Sequence, residues 1–482
     1  MDNTLLKQGR RKNVSILVNS LVSIAIIVIF SAVQPPEPIT KLGMQVTGIL
    51  LGVIYAWCTI DIIWPSIIGL IVMGFTSFTS TEGAFISAAA APTPLFILAL
   101  FFFVGIMAKT GLARTIAIKI ISAKITHNRP WVLTFMILLA AFIPGLIVGG
   151  LPAALLCWDI CYGIFELTGY SKGEKWPTLV LFGVAAVANM AMSVLPFQMG
   201  VAAMTGVMRL FDPSFSINAI HYILFELIFC ALNIGLIMLL MRFVLKPDMS
   251  KLANYTPSTE KERFTKDQRT AFVLLVLLIA LFVFAEIPGA VGSTIKSLGN
   301  IGITSIVVAA ALIIRRKDGS PYLKFKEISK DISWELLFMV ATVMFIAGSM
   351  TDERIGVVAF LSKVLVPIFE GKSLFTFSAV ILLIAVIGTN FVDNSVIGFV
   401  ITPLAFTLSV GMGYAPAIVF VPLVQAACYG LLLPASSPTG AILHSNIDWL
   451  YKKDIFKLAG LFVLIFIIVT IITIPLSATI FG

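Results

Sequence analysis

Charge is what this sequence has least of. Asp, Glu, Lys and Arg make up 12% of 482 residues, about half the share found in soluble globular domains. There are three histidines, His127, His221 and His444, far apart. An enzyme needs a nucleophile with a base, or clustered acids and histidines, and no such cluster, phosphate loop, HExxH or GxSxG is present. The five cysteines (Cys58, Cys157, Cys161, Cys230, Cys428) are scattered in apolar segments. Cys157 and Cys161 are one helical turn apart but lack a second pair, so they read as small buried hydrophobes rather than metal ligands. No organic cofactor is expected.

What the chain has instead is length in apolar runs. It is 59% hydrophobic with a mean hydropathy of +1.04. Stretches of about 18 or more apolar residues recur, each long enough to cross a bilayer. The expected fold class is an all-α polytopic membrane protein. Full spans are expected near 14–33, 44–60, 62–79, 92–109, 177–207, 217–245, 270–287, 297–314, 333–351, 414–433 and 456–480, eleven in all. Two re-entrant hairpins are expected near 135–168 and 376–409. The run after MDNTLLKQGRRKN is too long for the usual signal-peptide core, so it reads as an uncleaved first span. The net charge of +9 would suit nucleic acid on a soluble protein. Here it marks cytoplasmic loops, and no nucleic-acid partner is expected. With the N-terminus inside, only Lys41, Arg209, Lys296, Arg354, Lys363 and Lys372 of the 33 basic residues fall outside. That bias places the N-terminus in the cytoplasm and the C-terminus outside, in a cell (plasma or inner) membrane.

Segment 110–128 is too basic to span. Its Ile116, Ile120 and Ile121 share a face away from Arg114 and Lys124, as in an interfacial amphipathic helix. The polar, Pro-interrupted stretch 248–269 reads as a linker. It separates residues 44–247 from 270–482, with 1–43 as tail and first span.

These two parts can be laid on each other. FIPGLIVGGLPAALLCW (142–158) aligns with VIGTNFVDNSVIGFVIT (386–402), and SVLPFQMGVAA (193–203) with LLLPASSPTGA (431–441). Each half has a polar or Gly-rich turn inside an apolar segment, then a Pro/Gly break in a later one. Halves starting on opposite sides of the membrane form an inverted repeat, with the ligand site near the midplane. Hairpin tips leave backbone groups unpaired, so they must line a cavity or be buried in protein. Helix N-termini there suit an anion, and unwound carbonyls with Asn and Asp oxygens suit a small cation. Gly149 and Gly150 let backbone approach a ligand, and Pro152 fits the first helical turn. A mere kink at Gly149-Gly150 and a purely structural Asp393 are the plainer readings, but an ionisable residue inside a membrane favours function. Asp61, Asp159, Glu166, Glu226, Glu286 and Glu335 fall near expected span or hairpin ends, where interfacial placement accounts for them.

On these residues, together with ILLGVIYAWCTIDIIWPSIIGL (49–70), LFILALFFFVGIMAKTGLARTIAIKIIS (95–122) and ISWELLFMVATVMFIAGSM (332–350), the chain resembles the divalent anion/sodium symporter family of di- and tricarboxylate transporters. That family belongs to a superfamily of inverted-repeat elevator carriers. The resemblance implies a homodimer embedded in lipid that moves a small organic anion. Asp393-Asn394-Ser395 stands where the family has Ser-Asn-Thr, and Ser437-Pro438-Thr439 where it has Thr-Pro-Pro. Asn394, Ser395, Pro438 and Thr439 would then meet substrate, and Thr389, Val392, Asn394 and Ser436 would surround Na⁺. Asp393 could add to the cation site or carry a proton. In the first half Gly149-Gly150-Leu151 replaces Ser-Asn-Thr, while Gly145 and Gln198 stand at the first cation site. The expected coupling is therefore by exchange or H⁺, ahead of two or more Na⁺. A carrier of an inorganic oxyanion and a cation/proton antiporter on the same scaffold are the alternatives.

Overall fold

The computed structural model describes residues 3–257, 263–316, 318–330 and 332–482, with side chains from residue 14 onward. The described residues form helices and no strand, apart from one isolated bridge between Arg315 and Pro321. In chain order, α1 (Asn3–Ala32) and α2 (Lys41–Thr59) lie side by side. α3 (Ile63–Met73), α4 (Thr81–Ala90), α5 (Pro92–Thr110) and α6 (Leu112–Ile121) follow. α7 (Pro130–Val148) and α8 (Gly150–Thr168) meet at Gly149. α9 (Lys175–Ala191) and α10 (Met199–Phe211) are separated by a turn, and α11 (Ala219–Leu239) runs on into a π-helical turn, Leu240–Leu245. The second part holds α12 (Lys266–Phe284), α13 (Ala290–Ser297), α14 (Gly299–Ile313), α15 (Phe325–Ile328) and α16 (Trp334–Ser349). It ends with α17 (Val357–Phe369), α18 (Leu374–Thr389), α19 (Asn394–Gly411), α20 (Ala417–Cys428), α21 (Pro438–Ser445) and α22 (Lys452–Phe481).

Among the described residues nine helices are long and apolar enough to cross a membrane, or eleven if two bent pairs each count as one. The bends are 86° between α13 and α14 and 119° between α17 and α18. One order of elements occurs twice. α5, α6, the pair α7/α8, the broken α9/α10 and α11 are followed later by α16, α17, α18/α19, α20/α21 and α22.

Several boundaries differ from expectation for local reasons. α7 starts at Pro130, earlier than the expected 135, because Pro stands at its first position, where a missing N–H costs nothing. The expected span 62–79 stops at Met73, where Thr76 turns the chain by donating to Met73 O. The expected 177–207 and 414–433 are interrupted, the second already at Cys428. α4 and α17 have no counterpart among the expected spans. α17 carries Lys363 and Pro367 in its apolar run and starts from Gly356 at φ +72°. Residues 258–262 of the expected linker lie outside the described residues. The preceding part is tied to the first half by Lys251 Nζ to Glu174 Oε1 (2.8 Å) and Tyr170 Oη to Asp248 O (3.1 Å).

Candidate functional site

Four helix breaks converge on two short segments, the ends of α9 and α20. In the second half the chain turns between α18 and α19 at residues 390–393, and every polar side chain there has a task. Asn390 is buried and ties α18 to the start of the break after α20. Its Nδ2 donates to Val386 O (2.8 Å) and Tyr429 O (3.3 Å), and its Oδ1 accepts from Leu431 N and Leu432 N, both 3.1 Å. Asn394 Nδ2 donates to Cys428 O (2.9 Å) and its backbone N to Ser436 O (3.1 Å). These bonds satisfy carbonyls that α20 leaves free where it unwinds.

The same residues crowd oxygen atoms together. Thr389 Oγ1 lies 2.6 Å from both Asn394 Oδ1 and Ala427 O, yet a hydroxyl has one proton to give. Gly430 packs into this spot. A Cβ added to it would lie 2.6 Å from Asn394 Oδ1, 2.6 Å from Thr389 O and 2.7 Å from Ser436 O. Three oxygens, Thr389 O, Asn394 Oδ1 and Ser436 O, therefore converge on the Gly430 backbone, whose N–H donates to Asn394 Oδ1 at 3.2 Å, and leave no room for a larger side chain. Clustered carbonyl and amide oxygens of this kind are the donor type that suits a hard cation. Val392 closes the turn, its N–H donating to Gly388 O at 3.0 Å.

Asp393 is half-buried at the N-cap of α19, with Oδ1 accepting the Ser395 N–H at 2.9 Å. An aspartate at this position satisfies an orphan N–H and complements the helix dipole. The helix terminus that could have held a substrate carboxylate is occupied by the chain's own. α21 begins at exposed Pro438, and Ser437 Oγ accepts from Gly440 N (2.9 Å). Thr439 is buried and donates to Asn189 Oδ1 (3.3 Å).

The first-half tip is built from backbone. Gly149 takes φ +88°, ψ 168° and caps α8 without a side-chain bond. That region is essentially open to glycine alone. No atom lies within 4 Å of where its Cβ would stand, whereas a Cβ on Gly150 would strike Met192 Sδ and Ala188 O. One side of the tip is thus open and the other pressed against α9. Gly145 likewise faces Ala191 of α9 closely. Pro152 is exposed in the first turn of α8, and the N–H groups of Gly150 and Leu151 ahead of it belong to the orphan set of any helix start.

Gln198 holds the α9/α10 break. Its Oε1 accepts from Leu195 N (3.1 Å), while Nε2 donates to Ala191 O (3.0 Å) and Leu146 O (3.4 Å). Gln198 itself aligns with Ser436 of the second half, so an amide with two N–H donors stands where the other half has a hydroxyl.

Asn189 was not singled out by sequence, although a lone Asn near the end of an apolar helix is a signal. It is buried, donates to Cys428 O (2.7 Å) and so joins the two breaks. Glu226 corrects an expectation. It is not interfacial but 0% exposed inside α11, where Gln425 Nε2 donates to its Oε2 at 2.5 Å. The same Gln425 amide reaches Met190 O at 3.3 Å.

The pattern of the citrate transporter family (CitMHS) matches residues 10–430. A sodium-dependent high-affinity dicarboxylate transporter of Caenorhabditis elegans is 24% identical over 208 residues, 40% of this chain and 36% of that protein. The sodium-dependent dicarboxylate transporter SdcS of Staphylococcus saprophyticus is 27% identical over 127 residues, 26% of this chain and 24% of its own. The matched stretches span roughly a third or less of these relatives' lengths. In fold, the chain is similar to the Alcanivorax borkumensis YdaH transporter, whose topology is described as unusual (TM-score 0.59, 13% identity, 96% of this chain and 98% of that one). It is also similar to Neisseria gonorrhoeae MtrF, of a class of antimetabolite efflux pumps (TM-score 0.57, 13% identity, 96% of each chain). With a family match over most of its length and transporters throughout its neighbours, this integral membrane chain belongs to the citrate transporter family, a family of transporters rather than enzymes.

Proposed function

We propose that the chain carries citrate or a related di- or tricarboxylate across the membrane, with one Na⁺ held at the second tip and substrate carboxylate at the first. The observation that carries this reading is the contrast between the tips. One offers bare helix-terminal N–H groups beside open space at Gly149, and the other an oxygen cradle at Thr389, Asn394 and Ser436. Anions suit the first and small cations the second. The sodium dependence named for the two relatives supports the cation, and the family description supports the anion.

The two halves act in this reading as inverted repeats of an elevator. α7–α11 and α18–α22 move together against α2–α6 and α12–α17 in a homodimer. Within the proposed bodies α7, α8 and α22 lie on α9, α18, α19 and α22 on α20, and α2, α3, α5, α14 and α16 pack among themselves, while α6 on α7, α10 on α5 and α16, and α17 on α19 form the main contacts between them.

The test is uptake of labelled citrate and succinate into proteoliposomes, with a Na⁺ gradient, in choline, and with internal dicarboxylate. Saturable uptake driven by Na⁺ with a Hill coefficient near 1 is expected. Uptake that ignores Na⁺ and requires internal dicarboxylate would replace cation coupling by exchange. No movement of either acid in any arm would sink the assignment.

A further inference from the structure

Away from both tips, a cavity of about 250 Å³ lies between α10–α11 and α12–α14. A neighbouring one of about 240 Å³ shares Pro196, Thr205, Arg209, Gly299 and Asn300 with it. Pro196 belongs to the α9/α10 break that Gln198 holds, and its neighbour Phe197 stacks on Phe282 of α12 at 4.7 Å. The cavity therefore backs onto the first tip's break and sits where the two proposed bodies meet.

Its lining is mixed: Val201, Ile217, Phe282 and Ile303 form apolar wall, and Arg209 and Lys296 outnumber the one acid, Glu286. Arg209 is exposed, and only its Nε has a partner among the described residues, Phe215 O at 3.0 Å. The two Nη groups are left with no carboxylate or carbonyl among the described residues. Thr205 and Asn300 add a hydroxyl and an amide, also without side-chain partners there. Lys296 brings a second positive charge, partly offset by Glu286 at 3.8 Å. A guanidinium with its fork free matches a carboxylate bidentately. The volume lies just below the range of about 300–1,000 Å³ typical of drug-sized ligands, which suits an acid of few carbons.

We propose that this cavity is a second anion-binding site, a vestibule in which Arg209 first captures a di- or tricarboxylate before it reaches the tip. The proposal rests on the carrier reading above. An anionic lipid headgroup has the same chemistry, and the experiment separates the two sources.

Thr205→Cys, and Asn300→Cys as a second variant, are placed in a Cys58→Ser background and reconstituted in neutral phosphatidylcholine. Modification rates are measured for an anionic and a cationic methanethiosulfonate, with and without citrate. The anionic reagent is expected to react at least about 5-fold faster, citrate to slow it, and Arg209→Gln to erase the preference. In transport, Arg209→Gln raises the citrate KM about 10-fold with kcat within about twofold. Equal rates for both reagents at both cysteines, or an unchanged KM, overturn the vestibule. Protection by phosphatidylglycerol but not by citrate also overturns it, in favour of lipid. A preference and citrate protection without citrate transport uphold the site while removing the proposed function.

Discussion

Between Val148 and Gly150 the chain turns on backbone alone; between Thr389 and Asn394 a similar turn carries a hydroxyl, two amides and a carboxylate. The connection after each hairpin differs in the same sense. Gln198 fills the first break with a donor, and at the second the Gly430 backbone packs closely among acceptors. One supersecondary plan thus yields opposite polarity at its two tips, depending on whether the orphan groups of the broken helices are left bare, capped or filled.

The comparison can be broken most severely at its two glycines. Gly430→Ala puts a methyl group within 2.7 Å of three oxygens. Na⁺-driven uptake is expected to fall at least about 100-fold, while the protein still folds at lower thermal stability. Gly149→Ala has room for its methyl group but not the dihedral angles, at a strain of about 1–3 kcal/mol. Citrate binding should drop about 10- to 100-fold, read by isothermal titration, with Na⁺ binding retained. Gln198→Ala would sharpen the comparison. It frees Leu146 O and Ala191 O, and the Hill coefficient for Na⁺ should rise from near 1 toward 2, at about 1–2 kcal/mol of lost stability from broken hydrogen bonds. Asp393→Asn is expected to be mildest, because asparagine caps helices as well as aspartate. A change in the citrate KM of less than about threefold is expected. A complete loss of uptake in that variant would make Asp393 a coupling residue rather than a cap.

Much of this was legible in the sequence, for physical reasons. Apolar length announced the spans, and polar or Gly-rich residues inside apolar runs announced the breaks, because lipid tolerates neither an unpaired backbone nor a stray amide. Thr389, Asn394 and Ser436 were named together and are found together. What stayed hidden were residues whose meaning depends on a distant partner. Asn189 and Gln425 look incidental until α20 is laid against α9, and Gly430 is one glycine among 35 until three oxygens close around it. Glu226 misled in the opposite direction. Its place in α11 resembled a helix end in sequence, and only packing revealed its burial against Gln425.

Gln198 has an electrical consequence. If its amide takes the seat of a second cation, each cycle pairs one Na⁺ with an acid of two or three negative charges, and the net charge moved is negative. An interior-negative membrane opposes such uptake by about 2.3 kcal/mol per charge per 100 mV, so a triply charged acid would enter against roughly twice that. Export, or a swap for another dicarboxylate, runs with the field or is indifferent to it. A single side-chain amide would then decide not only how many ions travel but which way the voltage pushes the cargo.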